Sequence, residues 1–182
     1  MTSEDQNIDD IVSGCKAGNR QAQEKLYRNF YRAMMSICLR YTKNETDAME
    51  ALNTGFYKVF KYIQRYEPAK ASMYTWIRTI VINSCLDHLK LKEKNEQHKA
   101  LTGTTDLQTD PGIISKIKSE HLLHLVRKLP PATQAVFNLF IMEGYSHKEI
   151  AKLLKISDGT SKWHLSEARK NLQKMINEED TN

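Results

Sequence analysis

The residues with the clearest chemical potential lie in GYSHKEIAKLLKISDGTSKWHLSEARKNL, Gly144 to Leu172. Leu165, Ala168 and Leu172 recur at helical spacing and predict a buried stripe. The opposite side of that helix then holds Lys162, Trp163, Ser166, Glu167 and Lys170. Ammonium groups neutralise phosphates, and short polar side chains reach base edges in a groove. Upstream, Ser146 and Glu149 have the spacing of a capping box, and Ile150, Leu153 and Leu154 supply an apolar face. Gly144 sits where the preceding helix should end, because glycine takes the left-handed cap conformation without strain. Lys155 and Ile156 leave a short corner before Ser157, which caps the last helix. This is the spacing of a helix-turn-helix, whose second helix enters the major groove with its N-terminal residues toward the bases. Between Lys116 and Lys174 basic residues outnumber acidic ones roughly two to one, a surplus suited to phosphates.

A second polar set lies earlier. Asp47, Glu50, Asn53 and Thr54 fall at three- or four-residue steps and share a face of one predicted helix. Asp47 and Glu50, one turn apart, could hold a metal, but no histidine or third carboxylate accompanies them, so neither metal nor cofactor is expected. Taken alone, the face reads as a solvated surface whose first carboxylate favours the helix dipole. Cys15, Cys38 and Cys85 are far apart along the chain, with no zinc spacing and no redox pair. They read as reduced, buried cysteines of a cytoplasmic protein.

The elements that must position these residues all read as helices, so the fold class is all-α. Ala22, Leu26, Phe30, Ala33, Ile37 and Tyr41 form one stripe. Asn44 is an N-cap for a second helix carrying Ala51, Leu52, Phe56, Val59, Phe60 and Ile63, which must stop before Pro68. A third begins near Ser72 and carries Trp76, Ile77, Ile80, Val81 and Leu89. From Leu91 the text is LKEKNEQHKALTGTTDLQTDPGIIS. Its early part extends the third helix, and after Ala100 it is polar and without a stripe. Another apolar series runs through Ile117, Leu122, Leu125 and Leu129; Pro130 and Pro131 break it, and Pro131 suits the first turn of the next helix. Val136, Phe137, Phe140 and Ile141 are the expected buried face there. Two small helical domains follow, residues 1–97 and 116–182, joined by a flexible linker at 98–115. A free monomer with its halves mobile across residues 100–112 is expected.

Composition bounds these readings. The 182 residues carry a net charge of +5 and a pI near 9.0, which suits an acidic partner without selecting one. The N-terminal MTSEDQNIDD is acidic and polar, unlike a signal peptide, and no apolar run approaches the length of a membrane span.

Several stretches together resemble the sigma factors of bacterial RNA polymerase. RKLPPATQAVFNLFIMEGYSHKEIAKLLKISDGTSKWHLSEARKNL is similar to their region 4, a pattern that LuxR-type regulators share in part. LYRNFYRAMMSICLRYTKNETDAMEALNTGFYKVF is similar to the polymerase-binding part of region 2. MYTWIRTIVINSCLDHLK is similar to its promoter-melting part, with Trp76, Asn83 and Asp87 in register. Two modules at this length resemble the extracytoplasmic-function group. The resemblance implies no enzymatic activity. It implies a cytoplasmic protein that binds core polymerase at the beta-prime coiled coil and the beta subunit, recognises −10 and −35 elements, helps open promoter DNA, and is held by an anti-sigma factor.

By the same resemblance, Asp47, Glu50, Asn53 and Phe56 bind polymerase. The loop RYEPAKASMY captures a −10 base, with Lys70, Tyr74, Arg78 and Asn83 on the DNA and Lys61, Arg65 and Lys90 near its backbone. The −35 set is Lys148, Thr160, Lys162, Trp163, His164, Ser166 and Arg169. There are departures. Asn53-Thr54 stands where many relatives have Gln-Glu. Ser161 replaces a branched apolar residue and should weaken the buried face. His164 and Glu167 stand near usually basic positions. The rival from another class is a dimeric repressor or activator on a palindrome; a helical metalloenzyme at Asp47 and Glu50 is the third reading.

Overall fold

In the computed structural model, residues 3–102 and 119–179 are described, with side chains for 8–91 and 121–179. Among them are eight α-helices and no strand. The chain divides into two compact units, Met1–His88 and Leu89–Asn182.

The first unit starts with a helix that the sequence reading passed over. Helix α1, Ser3–Lys16, hides its stripe behind an acidic start, yet Ile11, Val12 and Cys15 are buried. It packs on α2, Arg20–Tyr41, whose N-cap Asn19 accepts from the Gln21 and Ala22 amides. Helix α3, Glu45–Tyr62, follows the expected cap: Asn44 Oδ1 accepts from the Asp47 amide at 2.8 Å. A 3-10 turn, Ile63–Arg65, ends it, and α1 is tied there by Gln64 Nε2 donating to the Lys16 carbonyl. Helix α4, Met73–Thr102, starts where expected and runs five residues past position 97. The first five positions of the expected linker are therefore helical, and residues 103–118 lie outside the described residues.

Helices α2, α3 and α4 close around Leu26, Met34, Cys38, Leu52, Phe56, Ile77 and Val81. Gly55 lets α3 approach α4: a Cβ there would meet Val81 Cγ2 at 3.0 Å and Val81 Cα at 3.3 Å. All three cysteines are buried and in no disulfide. Cys38 and Cys85, however, bring their sulfurs to 3.6 Å across α2 and α4, a pair that a separation of 47 residues conceals.

The second unit contains α5, Ser119–Arg127; α6, Pro131–Phe137; α7, His147–Leu154; and α8, Asp158–Glu179. Helices α5, α6 and α7 pack against α8 around Leu125, Val136, Leu139, Ile150, Leu165 and Ala168. Helix α6 continues as a π-helical turn, Asn138–Met142, with Glu143 N bonding to the Asn138 carbonyl at 3.0 Å. That wider turn shifts the register. Leu139 turns in, and Ile141, expected inside, is 45% exposed. Leu122 is likewise more exposed than its stripe implies. Among the described residues no helix is long and apolar enough to cross a membrane.

Candidate nucleic-acid interface

The corner that presents α8 is built by local hydrogen bonds. Gly144 takes φ +77°, and Tyr145 N reaches back to the Leu139 carbonyl at 2.9 Å. The Ser146 amide donates to Glu149 Oε2 at 2.8 Å while Ser146 Oγ accepts from the Glu149 amide at 3.3 Å, the reciprocal capping box. The Ser146 hydroxyl and amide hold the Glu149 carboxyl below its usual range. Lys155 ends α7 at φ 59°, the left-handed region in which a non-glycine residue stores strain. Ser157 Oγ then accepts from the Thr160 amide at 2.9 Å and starts α8.

Two tertiary hydrogen bonds fix the rotation of α8. Ser161 is fully buried, and its Oγ lies 2.9 Å from His147 Nδ1, whose ring stacks on Phe140 at 4.5 Å. Ser161 was expected to weaken this face; the hydroxyl instead gains a partner that an aliphatic side chain would not have. His164 Nδ1 lies 3.0 Å from Thr133 Oγ1 on α6, and burial pushes the imidazole pKa down. His164 is thus partly turned inward, and the Thr160 hydroxyl is shared with Ser157 at 2.8 Å. Lys162, Trp163, Ser166, Arg169 and Lys170 face outward, with Lys148 exposed on α7. Trp163 is 58% exposed and leans on His164 at 4.8 Å. Lys162 Nζ sits 3.2 Å from Asp158, and Lys170 pairs with Glu167, which mutes that acid. Pairs this exposed are worth about 0–1 kcal/mol, so both lysines leave them at little cost.

At the start of α4, Ser72 Oγ accepts from the Thr75 amide at 3.2 Å. Tyr74 is 45% exposed, with Phe30 at 6.5 Å. Lys70 is exposed and paired with Glu67; Arg78 is half-buried. Trp76 packs half-buried against Tyr66, as its place in the stripe implies. Asn83 donates to the Thr79 carbonyl of its own helix at 2.9 Å, which occupies its amide nitrogen. Around the end of α3 lies a group the sequence reading did not assemble. Tyr57 is 66% exposed, Lys61 Nζ lies 5.9 Å from the Tyr57 ring and 5.7 Å from Tyr62, and Arg65 lies 5.0 Å from Tyr62. The signal was the i, i+3 and i, i+4 spacing of aromatic with basic residues.

The polar face of α3 divides. Glu50, Asn53 and Thr54 are exposed, and Asn53 Oδ1 accepts from Tyr27 at 3.3 Å. Asp47 is only 7% exposed, and Phe56 is a core residue at 2%, its ring tilted against Tyr27 with centroids 4.6 Å apart. Two of the four residues expected at the polymerase, Asp47 and Phe56, are therefore buried, beside α4 and α2 respectively. The expectation that no histidine accompanies Asp47 and Glu50 is also corrected. His88 of α4 comes to 3.9 Å from Asp47 Oδ1. Lys58 and Asp87, 2.9 Å apart, make a second link between α3 and α4.

Comparison with known proteins bears on both units. Residues 26–94 match Sigma-70 region 2 and residues 119–172 match Sigma-70, region 4. The chain is 23% identical over 175 residues to the ECF RNA polymerase sigma factor SigM of Mycobacterium tuberculosis, covering 92% of this chain and 83% of that one. It is 26% identical over 161 residues to the RNA polymerase sigma factor YlaC of Bacillus subtilis, covering 86% and 92%. Its fold is similar to that of the sigma factor RpoE, solved in complex with the anti-sigma factor NepR from Bartonella quintana, at TM-score 0.59 and 15% identity over 85% of this chain and 96% of that one. Region 2 followed by region 4, with sigma-factor relatives along nearly the whole length, makes this chain a member of the sigma-70 family in the extracytoplasmic-function group, a non-enzymatic factor for promoter-specific transcription initiation.

Proposed function

We propose that the outward face of α8, with Lys162, Trp163, Ser166 and Arg169 flanked by Lys148, reads the −35 element in the major groove. The observation that carries this is the rotation of α8. Ser161 and His164 are held from inside by His147 and Thr133, so the remaining polar side chains of its first turns point to solvent together. Thr160 serves the cap, and His164 contributes through Trp163.

In the first unit, Tyr74 stacks an unpaired −10 base. Lys70, Arg78, Lys61 and Arg65 hold the strand, and Asn83 offers its carbonyl oxygen. Bases of single strands stack on exposed aromatic rings whatever their sequence. Glu50 and Asn53 dock on the beta-prime coiled coil of core polymerase, and the second unit meets the beta subunit. Asp47 and Phe56 hold that helix in place from behind. The protein works in the cytoplasm, as a monomer when free, and an anti-sigma factor holds it inactive, a reading supported by the likeness to RpoE solved with NepR.

The test is run-off transcription with core polymerase and genomic promoter fragments. Discrete transcripts that depend on the full chain are expected. Palindrome binding as a dimer, with no stimulation of core polymerase on any fragment, overturns the reading.

A further inference from the structure

Asp47 and Glu50 lie one turn apart on α3, and α4 brings His88 to them. One ligand atom from each lies within 4.8 Å of the other two. His88 Nε2 is buried and has no hydrogen-bond partner, while its side chain is 12% exposed and that of Asp47 9%. A buried ring nitrogen without a partner is costly, so it calls for a ligand of its own. We propose that Asp47, Glu50 and His88 form a site for a divalent zinc-class ion that staples α3 to α4.

The geometry needs little adjustment. Metal–ligand bonds of about 2.0 Å in a tetrahedron place ligand atoms about 3.3 Å apart. Asp47 and His88 stand at 3.9 Å and need only a small closure, and Glu50, whose side chain is exposed and long enough to swing, closes the rest. The donor set selects the ion: imidazole favours zinc, nickel or copper, whereas magnesium prefers carboxylates and water. Three protein ligands leave a position for water, as in open zinc sites. The positive end of the α3 dipole, about half a charge, opposes a cation, and two carboxylates outweigh it. Filling the site would draw Glu50 away from polymerase. That consequence rests on the docking proposed above; metal binding does not.

The experiment uses the full chain, freed of metal by a chelator. Zn2+ alone is titrated calorimetrically, and Co2+ uptake is followed by visible absorption. Uptake of one ion per chain, undiminished by excess Mg2+, is expected. Glu50→Gln and His88→Gln should each weaken it at least about tenfold, since even changes to groups behind a ligand cost that much. His121→Gln, in the other unit, should leave it unchanged. Circular dichroism checks that each variant is folded, and Glu50, being exposed, gives a variant whose fold is not at stake. No uptake, displacement by Mg2+, unchanged affinity in either Glu50→Gln or His88→Gln, or loss of uptake in His121→Gln overturns the proposal.

Discussion

Helices α3 and α8 each carry polar side chains at three- and four-residue steps, yet they meet their surroundings differently. Helix α8 lies against its neighbours on one side, and Lys162, Trp163, Ser166, Arg169 and Lys170 are all exposed on the other. Helix α3 is covered from two directions, by α2 through Tyr27 and by α4 through Val81, Asp87 and His88. Its polar row is therefore cut: Asp47 lies beneath, and Glu50 and Asn53 lie outside. Spacing locates a face on a helix; the number of neighbours decides how much of that face a partner can touch.

The sharpest test of that difference pairs Phe56 with Glu50 on one helix. Phe56→Ala removes a core ring at 2% exposure and should cost about 3–5 kcal/mol of stability, read by urea unfolding. Its effect on polymerase binding should follow from lost folding alone. If affinity falls while stability holds, Phe56 touches the partner and the distinction between buried and presented rows fails.

Glu50→Lys should do the reverse. An exposed substitution leaves stability within about 0.5 kcal/mol. Reversing a charge at a paired interface costs about 2–5 kcal/mol, read as affinity for core polymerase. Unchanged affinity with an unchanged circular dichroism spectrum removes Glu50 from the docking surface.

Much of the scaffold was legible because its signals are local. Gly144, Ser146 with Glu149, Ser157, Asn44 and Pro131 each act within a few residues, and each sits as its spacing implies. What was hidden depends on other segments. Nothing near Ser161 announces His147, and nothing near Asp47 announces His88, although each pair sets how a helix is used. The π-helical turn after Phe137 was hidden differently: one wider turn changes which residues face inward, and the residue types remain compatible with an ordinary helix. Helix α1 escaped because Ile11, Val12 and Cys15 follow an acidic, polar start.

On α8, Lys162 sharpens the comparison from the presented side. Lys162→Ala in holoenzyme should cost about 1–3 kcal/mol and relax preference at one −35 position if the lysine meets a base edge. A panel of −35 mutants at two salt concentrations measures this. Loss spread evenly over the panel, with the salt slope reduced by about one, makes Lys162 a phosphate contact, and Trp163 and Ser166 then carry the sequence reading.

The smallest effect concerns the residue where α8 departs from its own outward row. His164 turns partly toward Thr133, and burial lowers its pKa from 6.5. His124 on α5 is lowered as well, first by burial and then by Lys128. In the unfolded chain both imidazoles titrate near about 6.5. Around that value the unfolded state binds more protons than the folded one, so stability rises with pH there. The contribution is present in full above the unfolded pKa, and it is lost as pH falls through that value toward the folded one. Urea midpoints measured across this range, in a Trp76→Phe background with Trp163 fluorescence as the reporter, should fall on acidification. His164→Gln should flatten the dependence, and His124→Gln should remove part of what remains. An unaltered slope in His164→Gln would mean that His164 is solvated in solution, and α8 would then present His164 to DNA with the rest of its row.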